Sequence, residues 1–430
     1  MLYFDVYKSQ DMFNSVFCEA IMSVVQKSPG FLGIIENVVK ERFFVASFDK
    51  FSENELNKFI VNILELLISD FSSLTVICRV FQVLINLMKD GSIFNEYICD
   101  FWIIDIALSI FLMNDTDLFS NLCSFFEIVF LNPTKGPSLL NHAIESGEMI
   151  NLFHKKFYSM SSIPTQEAFC SLLFTVISLS FLNFPDLLTE FGVIIPQMLD
   201  FMSLFGIKRI ELAKAIDLLS EDHQNLQIMG KDDFYGKMVS VLKTGLLEAV
   251  APVIRVLTKI SNSEEQPTLL FESEIMKYVN LYLKTEGAEV VSSILEFYKI
   301  ISNSSFQFFV NCGALESVYY VAKNGRCEPK KKCIVALIQM YPSIISLFDN
   351  ERAQFDIINI IIESFSELPK DELIQSLNLI DMILASNDSL TNQIVNKSIL
   401  IDSINDLFLI ADEDVSLVAQ YLLSKIGPLP

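Results

Sequence analysis

A short string returns nine times along this chain: an apolar residue, any residue, a polar residue and another apolar residue. It reads Leu84-Ile85-Asn86-Leu87, Phe125-Phe126-Glu127-Ile128, Val176-Ile177-Ser178-Leu179, Ala215-Ile216-Asp217-Leu218 and Leu257-Thr258-Lys259-Ile260 in the first five occurrences. It continues as Phe297-Tyr298-Lys299-Ile300, Leu337-Ile338-Gln339-Met340, Leu379-Ile380-Asp381-Met382 and Leu423-Ser424-Lys425-Ile426, with successive polar members 39 to 51 residues apart. A second landmark keeps nearly the same period. Apolar residues opening another helix stand at Ile103, Met149, Ile194, Phe234, Ile275, Leu315, Ile357 and Ile401, spaced by 40 to 46 residues. Two landmarks with one period mean a repeated helical unit that cannot bury its apolar stripe alone and must stack on its neighbours. The chain is therefore expected to be all-α, with about nine repeats.

One unit shows how the helices are written. From Leu315 an apolar stripe runs through Val318, Tyr319 and Ala322 and breaks at Asn324-Gly325, the pattern of an amphipathic helix closed by glycine. A second helix is expected from near Pro329, where proline costs little in the first turn, through Ile334, Leu337, Ile338 and Tyr341 to Pro342. Residues 1–53 fit the unit poorly and read as an N-terminal helical cap, with the repeat array over 54–430. The longest interval encloses Asn132-Pro133-Thr134-Lys135-Gly136-Pro137 and Ser159 to Pro164, loop chemistry expected to bulge from the edge of the stack. No charge occurs from Ala168 to Pro185, close to a membrane-spanning length, but the segment is in register with the repeat and carries six polar or breaking residues. It is expected to be a helix buried between neighbours.

The Gly313-Ala314-Leu315 entry and the Leu-x-Asn-Leu string at 84–87 resemble the armadillo family of helical repeats, over roughly residues 55 to 427 as a period. The resemblance implies a right-handed α-solenoid whose third helices line a groove, with Asn86, Glu127, Ser178, Asp217, Lys259, Lys299, Gln339, Asp381 and Lys425 along one side as candidates to hold a partner segment. Transport receptors of that family clamp an extended peptide with recurrent Trp and Asn. Here the single tryptophan, Trp102, lies off the column and only Asn86 keeps the asparagine.

Chemistry is sparse. The three histidines, His142, His154 and His223, have no second ligand at metal spacing, and no glycine-rich phosphate loop occurs. No enzyme activity, metal or cofactor is expected. No secretory leader is read in the first 13 residues, which hold Asp5, Lys8 and Asp11. The eight cysteines mostly sit in apolar helical stretches and form no Cys-x-x-Cys pair, as reduced thiols of a cytoplasmic or nuclear protein do. Residues 1–207 carry 11 basic and 23 acidic side chains, residues 208–340 carry 16 of each, and residues 341–430 carry 4 and 14. A net charge of −22 repels phosphate backbones, so the expected partner is a protein or peptide, basic rather than acidic, and not nucleic acid. The local exception is Lys323, Arg326, Lys330, Lys331 and Lys332, a basic cluster suited to an acidic peptide or phosphate. The leading expectation is an interaction scaffold. A peripheral membrane adaptor and an importin-like receptor are the alternatives.

Overall fold

The computed structural model describes residues 60–61, 63, 74–89, 98–111, 113, 115–157, 160, 162–203, 209–230, 233–262, 274–285, 287–347, 351–385, 398–407 and 412–426. The N-terminal cap expected over 1–53 lies outside them. The described residues form α-helices and two 3-10 segments, with no strand among them. The chain divides into two compact units, Met1–Asp232 and Asp233–Pro430.

The first unit contains α1 (Leu74–Lys89), α2 (Phe101–Ile110), α3 (Thr116–Phe130), α4 (Gly136–Glu145), α5 (Glu148–Phe157) and α6 (Ile163–Asn183). A 3-10 segment (Pro185–Ile194), α7 (Ile195–Ser203), α8 (Arg209–Leu219) and α9 (His223–Met229) complete it. The second unit contains α10 (Phe234–Leu242), α11 (Leu247–Asn262), α12 (Ile275–Leu283), α13 (Ala288–Ser304), α14 (Phe306–Asn311), α15 (Ala314–Asn324) and α16 (Cys327–Leu347). It closes with α17 (Glu351–Glu363), α18 (Lys370–Ala385), α19 (Ser398–Leu407) and α20 (Glu413–Ile426).

Every occurrence of the nine-fold string falls in one class of helix, α1, α3, α6, α8, α11, α13, α16, α18 or α20. Within each unit these pack in chain order, α1 on α3, α3 on α6 and α6 on α8, then α11 on α13, α13 on α16, α16 on α18 and α18 on α20. In the second unit the helices carrying the other landmark form a parallel ladder, α10 on α12, α12 on α15, α15 on α17 and α17 on α19. Ile103, Met149, Ile194, Phe234, Ile275, Leu315 and Ile357 are all buried, as an apolar entry residue facing the stack must be, and Ile401 is half-buried.

Polar links repeat the period. Asn121 Nδ2 donates to the Cys78 carbonyl at 3.4 Å, Lys156 Nζ to Met113 O at 3.2 Å and Asn225 Nδ2 to Leu188 O at 2.7 Å. In the second unit Tyr282 donates to the Leu242 carbonyl, and Asn280 Nδ2 donates to Cys312 O at 2.7 Å while accepting from the Tyr298 hydroxyl. Apart from the Tyr298 link, each joins residues 32 to 43 positions apart, about one repeat or somewhat less. Gly313 makes the Cys312 turn possible, because its φ of +77° is disfavoured for residues with a side chain.

Two local expectations change, and a third holds. The residues around 132–137 do not bulge: Asn132 Oδ1 accepts from the amides of Thr134 and Lys135, each at 3.0 Å, and the chain enters α4, which packs on α3 and α6. Gly136 permits that entry, since a Cβ there would stand 2.2 Å from the Phe130 carbonyl oxygen. Helix α16 begins at Cys327 and runs through Pro342 to Leu347. An exposed proline sacrifices one backbone bond, and the buried Ile344 beyond it rewards continuation. Helix α6 is long and apolar enough to cross a bilayer, but it packs between α3 and α8, with α4 and the 3-10 segment against it.

Candidate functional site

The nine polar residues of the string stand one per helix on successive members of the two ladders, but their surroundings differ. In the first unit Asn86 is half-buried, its Oδ1 accepting from Gln82 Nε2 at 3.2 Å while its Nδ2 is covered and has no hydrogen-bond partner among the described residues. Ser178 is likewise half-buried, its hydroxyl covered and without a hydrogen-bond partner among the described residues. Glu127 is half-buried on α3 between them, and Asp217 on α8 is only 9% exposed. A ligand could reach the Asn86 amide or the Ser178 hydroxyl only after a rotamer change, because both atoms already lie beneath neighbouring side chains.

In the second unit the column opens. Lys259 is half-buried, Lys299 and Gln339 are exposed, and Lys425 is exposed beside a half-buried Asp381. The last two neutralise each other across α18 and α20 at 2.5 Å, and Lys425 also lies 4.6 Å from the centre of the Tyr421 ring. The cations at the start of the ladder are differently placed. Arg255 bridges to Glu289 at 3.0 Å, whereas Lys299 forms no ion pair among the described residues. Lys299 and Gln339 thus remain open to a ligand on the adjacent helices α13 and α16.

The lysines of the basic cluster turn in two directions. Lys323 lies on α15, its ammonium 3.2 Å from the Tyr319 hydroxyl and 5.5 Å from the ring centre. Lys332 turns toward α13, donating to Ser292 Oγ and, at 3.5 Å, to Ala288 O. Arg326 is exposed, and Lys330 and Lys331 are half-buried between those two directions.

The sequence reading missed the cation–ring contacts of the other ladder, which join Lys243 and Lys277 to Tyr278 and Lys284 to Tyr320. A signal exists: Lys243 and Tyr278, and Lys284 and Tyr320, are lysine–tyrosine pairs nearly one repeat apart. The thiols carry no comparable chemistry. All seven described cysteines are free, and burial pushes the Cys99 thiol up to about 11 and that of Cys333 up to about 12, away from the reactive thiolate. Among the described residues no three His, Cys, Asp or Glu side chains converge on a metal-sized site.

A scan of protein families finds no match, and no curated protein matches by sequence. Comparison of folds does find likeness. A chain from the structure reported as "A conserved phosphorylation switch controls the interaction between cadherin and beta-catenin in vitro and in vivo" superposes with a TM-score of 0.60 at 12% identity, covering 96% of this chain and 94% of that one. At that identity the likeness is one of fold. The present chain is an all-α helical-repeat protein.

Proposed function

We propose that this protein is a non-catalytic interaction scaffold of the armadillo type that holds a segment of a protein partner along the α11–α13–α16 face of its second unit. The carrying observation is the pair Lys299 and Gln339, which present an ammonium and an amide to solvent on adjacent helices with no side-chain bond to a neighbour among the described residues. An extended segment needs partners for its backbone amides and carbonyls once it is desolvated, and such side chains supply them. The reported cadherin–beta-catenin interaction of the fold neighbour supports protein binding as the use of this architecture. Free thiols support a reducing compartment, cytoplasmic or nuclear.

The partner's charge varies along its length in this reading. Over α11 and α13 the column residues are Lys259 and Lys299, so an acidic stretch docks there. Basic flanks, favoured by the overall acidity, belong beside residues 341–430, whose net charge is −10. The test is affinity capture from native extract with the wild-type chain and with a Lys299→Glu, Gln339→Ala variant in parallel. A specific partner retained by the wild type and weakened at least about tenfold by the variant is expected, since a reversed charge in a binding face costs on the order of 1.4 kcal/mol or more. Equal retention by both chains would move the function to another face. Asp217 is unsuitable as a probe, because lysine at a buried position tests stability rather than binding.

A further inference from the structure

The other ladder of the second unit carries a surface that the proposed scaffold face does not use. Lys277 and Leu281 on α12 and Lys284 at its C-cap occupy one exposed stripe at helical spacing, and Leu281 is 60% exposed. Rings order the cations. The ammonium groups of Lys243 and Lys277 each lie 5.7 Å from the centre of the Tyr278 ring, and that of Lys284 lies 5.0 Å from the ring of Tyr320, one repeat further on. The band crosses α10, α12 and α15, which pack in that order.

Acids are unevenly placed around it. Glu274 pairs with Lys243 at 3.1 Å and also feels the charge of Lys277, Glu316 lies one turn before Tyr320 on α15, and Asp356 and Glu363 act on Lys323 at the far border. Lys277 and Lys284 make no ion pair among the described residues, so the centre of the band is a pair of tyrosine-supported cations on either side of an exposed leucine. A lysine held against a ring has already lost much of its rotamer freedom, which lowers the ordering cost of binding an anion.

We propose that this band is a docking site for a short acidic peptide segment of another protein, with an apolar residue at its centre to cover Leu281. The inference stands independently of the scaffold face, which lies on the other ladder. The occupant is short for a physical reason. Two steps between packed helices cover about 20 Å, the span of roughly six extended residues. Beyond about 8 Å a charge is screened at physiological ionic strength, so such a segment responds to the local cations. An anionic bilayer or a nucleic acid would extend over Asp356, Glu363 and the rest of a chain with net charge −22.

The test uses the full chain and a fluorescent peptide of about nine residues, glutamates flanking a central leucine, followed by anisotropy at low salt. Saturable binding on the order of 10 µM is expected. It should weaken at least about tenfold in Lys277→Glu/Lys284→Glu and several-fold in Leu281→Ala. These substitutions sit on exposed side chains, and far-UV circular dichroism checks that the helices persist. Absence of saturable binding, or equal affinity in the double reversal, overturns the proposal. So does tighter binding of phosphatidylserine vesicles or an oligothymidine through the same two lysines, which would assign the band to a membrane or to nucleic acid.

Discussion

The two units use one repeat in two physical ways. The first is tied together by phenylalanine: Phe81 meets Phe125 at 5.1 Å, Phe126 stacks on Phe130 at 5.6 Å, and Phe157 meets Phe169 at 4.8 Å. Its string residues are sunk between helices. The second unit relies on buried polar ties through Tyr282, Asn280 and Tyr298, and its string residues reach water. Aromatic burial gains free energy without direction, so it closes a surface, whereas a hydrogen bond fixes geometry and leaves side chains nearby free to serve a ligand. The same polar position in the repeat is therefore half-buried or buried throughout the first half, and it reaches full exposure only at Lys299, Gln339 and Lys425 in the second.

The comparison can be broken most forcefully in the first unit. Phe126→Ala, at a fully buried ring in contact with Phe111, Phe125 and Phe130, should cost about 3–5 kcal/mol in denaturant unfolding. A loss below about 1 kcal/mol, the scale of a surface change, would show that the aromatic cluster is not what holds this unit. In the second unit Asn280→Ala removes the partner of the Tyr298 hydroxyl and of the Cys312 carbonyl, and should cost about 1–3 kcal/mol. Tyr298→Phe in the Asn280→Ala background should recover part of that loss, because the buried hydroxyl is then absent rather than unsatisfied. If it recovers nothing, the Asn280 effect comes from packing.

The smallest effect is expected at the end of the ladder. Lys425→Ala breaks an exposed pair with Asp381 and should lower the unfolding midpoint only slightly, with the difference vanishing at high salt. A large, salt-independent loss would mean that the polar column holds the second unit together and is not available for binding.

Much of this was legible in the residues. The string fixed which helices form a ladder because burial repeats with the helices, and an apolar residue at Phe126 or Ile338 has only one place to go. What the string could not convey is exposure, since Ser178 and Gln339 occupy the same position in identical patterns and differ only in what the neighbouring repeat lays over them. Lys323 and Lys332 look like one cluster in sequence, yet a helix turn and the α15–α16 junction send them to opposite ladders. The Lys284–Tyr320 contact was hidden because each partner alone is an ordinary exposed residue.

The reach of the polar ties has a consequence for synthesis. Asn121 to Cys78, Lys156 to Met113 and Asn280 to Cys312 each join residues 32 to 43 positions apart. A nascent chain emerging from the ribosome can thus close each tie as soon as the following helix appears, without waiting for its carboxyl terminus. Contacts of short sequence separation form quickly, and segments made early are covered before the later ones exist. Helix α3, with four phenylalanines, lies in the half that is translated first, so its rings are handed to a neighbour within one repeat of synthesis and spend little time bare.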